Sequence, residues 1–159
     1  MLVVFDLDGT IADVTHRMHF IRPNPAVDPV TGKKVKRRFD RFHAACVDDG
    51  VVEPVAYLYR QFVANPDVTV VVLSGRDVAT LDETVQWFAR NDLPMPDDMI
   101  LKSGDQHTPD VEQKRTIADQ IEQRYGEPIA MVFEDRQRVV EMWKARGTFV
   151  MDVLQNPED

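Results

Sequence analysis

A single cysteine, Cys46, in 159 residues leaves no internal disulfide to form and excludes a Cys-rich zinc site. It points to a reducing compartment, and the cytoplasm is the expected location. Glycine and proline number only 7 and 10, which excludes a collagen-like or low-complexity chain. No apolar run approaches the ~20 residues of a membrane span, and Leu2-Val3-Val4-Phe5 ends at once in Asp6 and Asp8, so neither a signal peptide nor a membrane anchor is expected. Positive charge is in the minority, 19 Lys and Arg against 27 Asp and Glu. The net charge of -8 argues against whole-surface attraction to nucleic acid and leaves room only for a local basic patch. What remains, 43% hydrophobic and 29% charged, is a globular composition at a length suited to one domain over residues 1–159.

Short β-branched runs alternate with stretches of helical periodicity, the pattern of βαβ units around a parallel sheet. Strands are expected at Leu2 to Asp6, Val68 to Ser74, Met99 to Leu101, Ile129 to Phe133 and Thr148 to Met151. Helices are expected at Pro54 to Asn65, Ala79 to Asn91, Val111 to Tyr125 and Gln137 to Arg146, with Gly126 and Gly147 as stops. The segment from Asp13 to Gly50 breaks the alternation. Its Arg22-Pro23-Asn24-Pro25 run and Pro29-Val30-Thr31-Gly32 turn signal read as an insertion after the first strand, with a short helix near Arg38 to Val47. The tail Gln155 to Asp159 reads as frayed.

In such α/β folds ligands bind beyond the carboxyl ends of the strands, which selects Asp6, Ser74 and Asp135. The strongest signal is Asp6-Leu7-Asp8-Gly9-Thr10, where a buried strand runs into two carboxylates. Residues i and i+2 of extended chain project the same way, so Asp6 and Asp8 can face one pocket while Gly9 permits the sharp exit. Carboxylates so close together need a divalent cation, expected to be Mg²⁺, or a shared proton. The plain alternative is an Asx turn capping a strand.

This run resembles the first motif of the haloacid dehalogenase (HAD) superfamily of phosphatases and phosphotransferases. The other motifs of that superfamily have counterparts in order. Val70-Val71-Val72-Leu73-Ser74-Gly75-Arg76 resembles the second, Lys114 the third, and Ile129 through Glu134-Asp135 the fourth. The resemblance implies a Rossmann-like three-layer fold with a five-stranded parallel sheet. It further implies Asp6 as nucleophile, Asp8 as general acid and base, and Ser74, Gly75 and Lys114 as phosphate-binding groups. Mg²⁺ would be held by Asp6, the Asp8 main-chain carbonyl and Asp135, with Thr10 supporting and Glu134 either touching metal or orienting its water.

A narrower likeness, to the 3'-phosphatase domain of polynucleotide kinase/phosphatase enzymes, rests on Asp135-Arg136-Gln137-Arg138-Val139-Val140-Glu141-Met142-Trp143, on Gly104-Asp105, and on Asp110 four residues before Lys114. It implies Arg17 and Arg76 as substrate contacts and Asp110 as a support for Lys114. On their own residue types both arginines read equally well as surface groups.

Between Lys33 and His43 stand six Lys or Arg against one acid, interleaved with Phe39 and Phe42. Either this run meets a nucleotide backbone and bases, or it is a solvated face whose phenylalanines bury one side of a helix. Trp87 and Trp143 read as core rather than as stacking platforms. His16, His19, His43 and His107 lack a two-His helical spacing, which disfavours zinc, although His16 or His107 could touch substrate. An insertion this short is a reduced cap, which leaves a cleft open to a phosphorylated nucleotide or nucleic-acid end. A polynucleotide 3'-phosphatase is the first expectation. A 5'-nucleotidase and a non-catalytic phosphate-binding scaffold are the alternatives. No G-x-x-x-x-G-K-[ST] loop occurs, so a kinase or ligase partner would be a separate chain.

Overall fold

In the computed structural model residues 1–104 and 108–153 are described. His107, Asp105 of the Gly104-Asp105 pair and the tail Gln155 to Asp159 lie outside them. Five strands form one parallel sheet: β1 (Leu2–Phe5), β4 (Thr69–Asp77), β5 (Asp98–Lys102), β6 (Ile129–Glu134) and β7 (Phe149–Asp152), in the order β5-β4-β1-β6-β7. The expected α/β class, five-stranded parallel sheet and three layers are all present.

The strand pleat sorts side chains to two cores. Val3, Phe5, Val70 and Val72 face one way, where they meet Val55, Ala56 and Tyr59 of α2 (Glu53–Ala64) and Trp87 and Phe88 of α3 (Leu81–Arg90). Leu2, Val4, Val71 and Leu73 face the other way, against Ala118 and Ile121 of α4 (Asp110–Tyr125) and Val139, Met142 and Trp143 of α5 (Gln137–Ala145). Burial on both faces explains why β1 and the first half of β4 are continuously apolar rather than alternating. Phe5 stacks on Phe133 at 4.2 Å and meets the edge of Tyr59 at 5.3 Å. Trp87 and Trp143 are both core residues.

One local expectation needs correction, and the short helix expected near Arg38 to Val47 is present in two parts. β4 runs to Asp77 rather than stopping at Ser74, because its register shifts after Leu73 and Asp77 then pairs with Lys102. Two short strands, β2 (Ala12–Asp13) and β3 (Gly50–Val51), pair antiparallel and draw the two ends of segment 14–49 together. Within it, α1 covers only Phe39–Ala44 before tightening into a 3-10 turn at Ala45–Asp48, and a further 3-10 turn spans Thr15–Phe20. Among the described residues no helix is long and apolar enough to cross a membrane.

Candidate active site

β1 ends beside β4 and β6 at the centre of the sheet, so Asp6, the β4 extension and Glu134-Asp135 come together at one edge. The Asp6 N–H donates to the Phe133 carbonyl (2.9 Å), which carries the sheet ladder one residue past the strand. The chain then turns on the Leu7 carbonyl, which accepts from the N–H groups of Thr10, Ile11 and Ala12. Gly9 lies at φ +86°, and a Cβ there would overlap the Asp135 carboxylate, so the turn requires glycine on both counts.

Asp6, Glu134 and Asp135 each aim a carboxylate oxygen at a common point, all within 4.8 Å of one another. Lys114 of α4, almost fully buried, donates to Asp6 Oδ1 (2.6 Å) and Glu134 Oε2 (2.8 Å), with Asp110 Oδ2 at 3.8 Å. Arg136 closes the set by donating to Asp110 Oδ2 (2.8 Å). The Thr10 hydroxyl lies 3.3 Å from Asp6 Oδ2 and 3.4 Å from Asp135 Oδ1. Burial, then the Glu134 charge, raises the Asp6 carboxyl well above its ordinary value even though Lys114 pulls the other way. The same two causes push Asp135 to about 6. Burial alone would lower Lys114, but Asp6, Glu134 and Asp110 hold it firmly protonated.

A second ion cluster holds Asp8. Its Oδ1 accepts from Arg17 Nη2 (2.8 Å) and Arg76 Nε (2.8 Å). Behind it, Asp49 accepts from Arg17 Nε (2.6 Å), Arg17 Nη2 (2.6 Å) and Arg76 Nη2 (2.8 Å). Arg17 also donates to the Phe42 carbonyl and lies 4.1 Å from the centre of its ring. Arg76 donates to the Thr84 hydroxyl of α3 (3.1 Å). Burial would raise the Asp8 carboxyl, but the guanidinium groups of Arg76 and Arg17 outweigh it and hold Asp8 below the ordinary range. The surface reading of the two arginines fails, since both are essentially inaccessible to solvent.

A cleft of about 750 Å³ opens over both clusters, reaching Asp6, Asp8 and Asp135. Gly75 lines it, whereas the Ser74 hydroxyl, buried, accepts from the Arg76 N–H (3.2 Å). A Cβ on Gly75 would come within 2.8 Å of Asp110 Oδ1. Four exposed arginines line the cleft, Arg22 and Arg37 from segment 14–49 and Arg136 and Arg138 from the start of α5. Of the basic run, Arg37 reaches the cleft and Arg38 instead pairs with Asp40 (3.1 Å). Phe42 is buried, as the helix-face reading has it, while Phe39 is half exposed and lines the cleft. His16 is engaged by Asp49 (2.8 Å).

The family profile described as the polynucleotide kinase PNKP phosphatase domain matches residues 30–157. The chain belongs to that family. It is a HAD phosphatase, as its resemblance to the superfamily implies. The match begins after Asp6 and Asp8, and the contacts of Lys114 with Asp6 and of Arg76 with Asp8 join those residues to the matched part. Among solved structures, a chain of the Pnkp1/Rnl/Hen1 complex superposes with a TM-score of 0.72 at 20% identity, covering 98% of this chain and 46% of that one. A chain of the Pnkp1/Rnl/Hen1 RNA repair complex gives 0.67 at 20% identity, covering 98% and 43%. Class C acid phosphatase from Bacillus anthracis with tungstate bound gives 0.59 at 19% identity, covering 99% and 67%. The chain thus spans about half the length of the first two. The search of curated protein sequences gives no significant match.

For this HAD phosphatase, sequence reasoning missed Asp49. It stands in the plain acidic pair Asp48-Asp49, and nothing local distinguishes the member that is buried. Arg17, read as a substrate contact or a surface group, gave no sign that it is buried and needs a buried partner.

Proposed function

We propose that this chain is a Mg²⁺-dependent phosphomonoesterase that removes the 3'-phosphate from a nucleic-acid end through a phospho-Asp6 intermediate. The observation that carries the reading is the pairing of two differently tuned carboxylates, Asp6 on Lys114 and Asp8 on Arg17 and Arg76, beneath one cleft lined by four exposed arginines. The family and the Pnkp1 likeness support the choice of a polynucleotide over a small metabolite.

The all-oxygen donors of Asp6, Glu134 and Asp135 suit a hard divalent cation, and a Gly9 without a side chain leaves the Asp135 carboxylate its place. Asp6, Asp135 and the Asp8 main-chain carbonyl would hold the ion, with Glu134 beside them. Bound there, Mg²⁺ supplies charge neutralisation for the carboxylates and the phosphoryl oxygens.

Asp6, oriented by Lys114, attacks phosphorus in line, and the P–O bond to the 3'-oxygen breaks. Lys114 and the amide of Gly75 offer donors to the equatorial oxygens, where charge stabilisation is most needed. The leaving oxygen takes a proton from Asp8. Asp8 borders the cleft, while Arg17 and Arg76, buried behind it on Asp49, do not reach the cleft as substrate contacts and instead fix the orientation of the carboxyl. In the second half Asp8, again a carboxylate, takes a proton from the water that attacks the phospho-aspartate. Inorganic phosphate leaves and Asp6 is restored. A kinase or ligase working on the same ends would come from a partner chain.

The test is phosphate release, with Mg²⁺ supplied, from a 3'-phosphorylated oligonucleotide compared with mononucleotides. Preferential release from the oligonucleotide, abolished in Asp6→Asn, is expected. An Asp6→Asn protein as active as the parent overturns the nucleophile assignment, and a preference for free mononucleotides overturns the substrate.

A further inference from the structure

Segment 14–49 contributes more to the cleft than closure. Its helix α1 lines the cavity with Phe39, Phe42 and His43, of which Phe39 is the most exposed. Among the described residues four buried side-chain polar atoms lack a hydrogen-bond partner, and the His43 Nδ1 is one of two that belong to cleft-lining residues. The other, Asp110 Oδ1, sits against Gly75 inside the phosphate network already described. His43 belongs to no such network. A buried ring nitrogen without a partner costs free energy unless something entering the cleft satisfies it.

Phe39 complements it. Its neighbour in helical spacing, Phe42, also borders the cleft but is 8% exposed and carries the Arg17 guanidinium against its ring, which leaves Phe39 the more open platform. Phe39 is 50% exposed, lines the cavity, and stacks on no other ring among the described residues. A cavity of about 750 Å³ is far larger than a phosphate and has the size of a nucleotide-scale site. With phosphorus at Asp6, the rest of the terminal nucleotide occupies a cavity of which α1 forms one wall.

We propose that α1 forms the subsite for the terminal nucleoside, with Phe39 stacking on its base and the His43 imidazole, which borders the cavity, hydrogen-bonding to its sugar. The subsite rests on the 3'-phosphatase reading above and adds to it the residues that recognise the leaving group. Base stacking on an aromatic ring is sequence-tolerant, so these contacts select a nucleoside end without selecting its base.

Two measurements test it. In the first, kcat/KM is determined for a 3'-phosphorylated oligonucleotide and for acetyl phosphate, and the ratio of the two is followed. Phe39→Ala lowers that ratio by about 5- to 100-fold, mainly through the KM for the oligonucleotide, and Phe39→Tyr restores it. His43→Leu lowers it by about 2- to 10-fold, and His43→Asn, which keeps a polar atom near the Nδ1 position, recovers most of the loss. In the second, an oligonucleotide carrying 2-aminopurine as its 3'-phosphorylated terminal nucleotide is titrated with the Asp6→Asn protein. Quenching is expected, and adding Phe39→Ala relieves it. Unchanged ratios together with unchanged quenching overturn the subsite while leaving the 3'-phosphatase reading intact. A parent that hydrolyses acetyl phosphate but neither binds nor hydrolyses the oligonucleotide overturns both.

Discussion

Asp49 shows how much one unremarkable residue can carry. Its carboxylate takes three charge-assisted hydrogen bonds from Arg17 and Arg76, and its carbonyl accepts from the Trp87 indole (2.8 Å). Removing the acid leaves two buried guanidinium groups with Asp8 as their remaining carboxylate partner. Asp49→Ala should therefore cost about 3–5 kcal/mol in chemical denaturation, and it should lower kcat by loosening Asp8. A loss below about 1 kcal/mol would mean that the arginines find other partners. His43 gives a pH test. Burial lowers its pKa first, with Arg17 and Arg76 adding to the effect and Asp8 and Asp77 opposing it. The unfolded chain then binds a proton that the folded chain resists, so stability declines as pH falls through about 6.5. The urea midpoint of the parent should drop more between about pH 7.5 and about pH 5.5 than that of His43→Gln. Equal drops would remove His43 from the titration.

At the scale of elements, β1 couples the core to the chemistry. Phe5 is wholly buried among Tyr59, Phe62 and Phe133, one residue before Asp6. Phe5→Ala should destabilise by about 3–5 kcal/mol, and Phe5→Leu by clearly less. In either variant kcat should fall if Asp6 takes its position from the strand; a destabilised protein with parental kcat would separate the two. Elements whose stabilising contacts are regular could be read from the residues. The apolar runs of β1, β4 and β6 announced a buried parallel sheet, and helix spacing gave α2 to α5 within a residue or two. Elements held by side chains distant in sequence could not. β4 continues through Gly75 and Arg76, a pair that reads as a turn, while Arg76 bonds to Asp8, Asp49 and Thr84. The two-residue strands β2 and β3 are too short for any periodicity, and their pairing depends on residues nearly forty positions apart.

The same division holds for the site. Asp6 and Asp8 stand in a strong local pattern, Asp135 in a weaker one and Lys114 only in chain order, whereas the difference between Phe39 and Phe42 appears only once Arg17 is seen to lie against one of them.

For the molecule as a whole, charge is distributed against its average. An acidic chain presents Arg22, Arg37, Arg136 and Arg138 at one opening. If a single strand lies there, its KM should rise with salt by a log–log slope of about 0.7 for each phosphate engaged. Replacing Arg37 and Arg138 together by Ala should flatten that slope. A parental slope indifferent to salt would remove the arginines from the path of the strand.

The β2–β3 pairing gives segment 14–49 a single point of departure and return. It is anchored further by α3, through Trp87 and Arg90, and by the bundle of charges in which Arg17 and Asp49 come from the segment and Asp8 and Arg76 from the body of the protein. Arg17 thus joins segment 14–49 directly to Asp8. Shortening Arg17 should therefore loosen the segment and raise the Asp8 pKa together, two readouts of one contact.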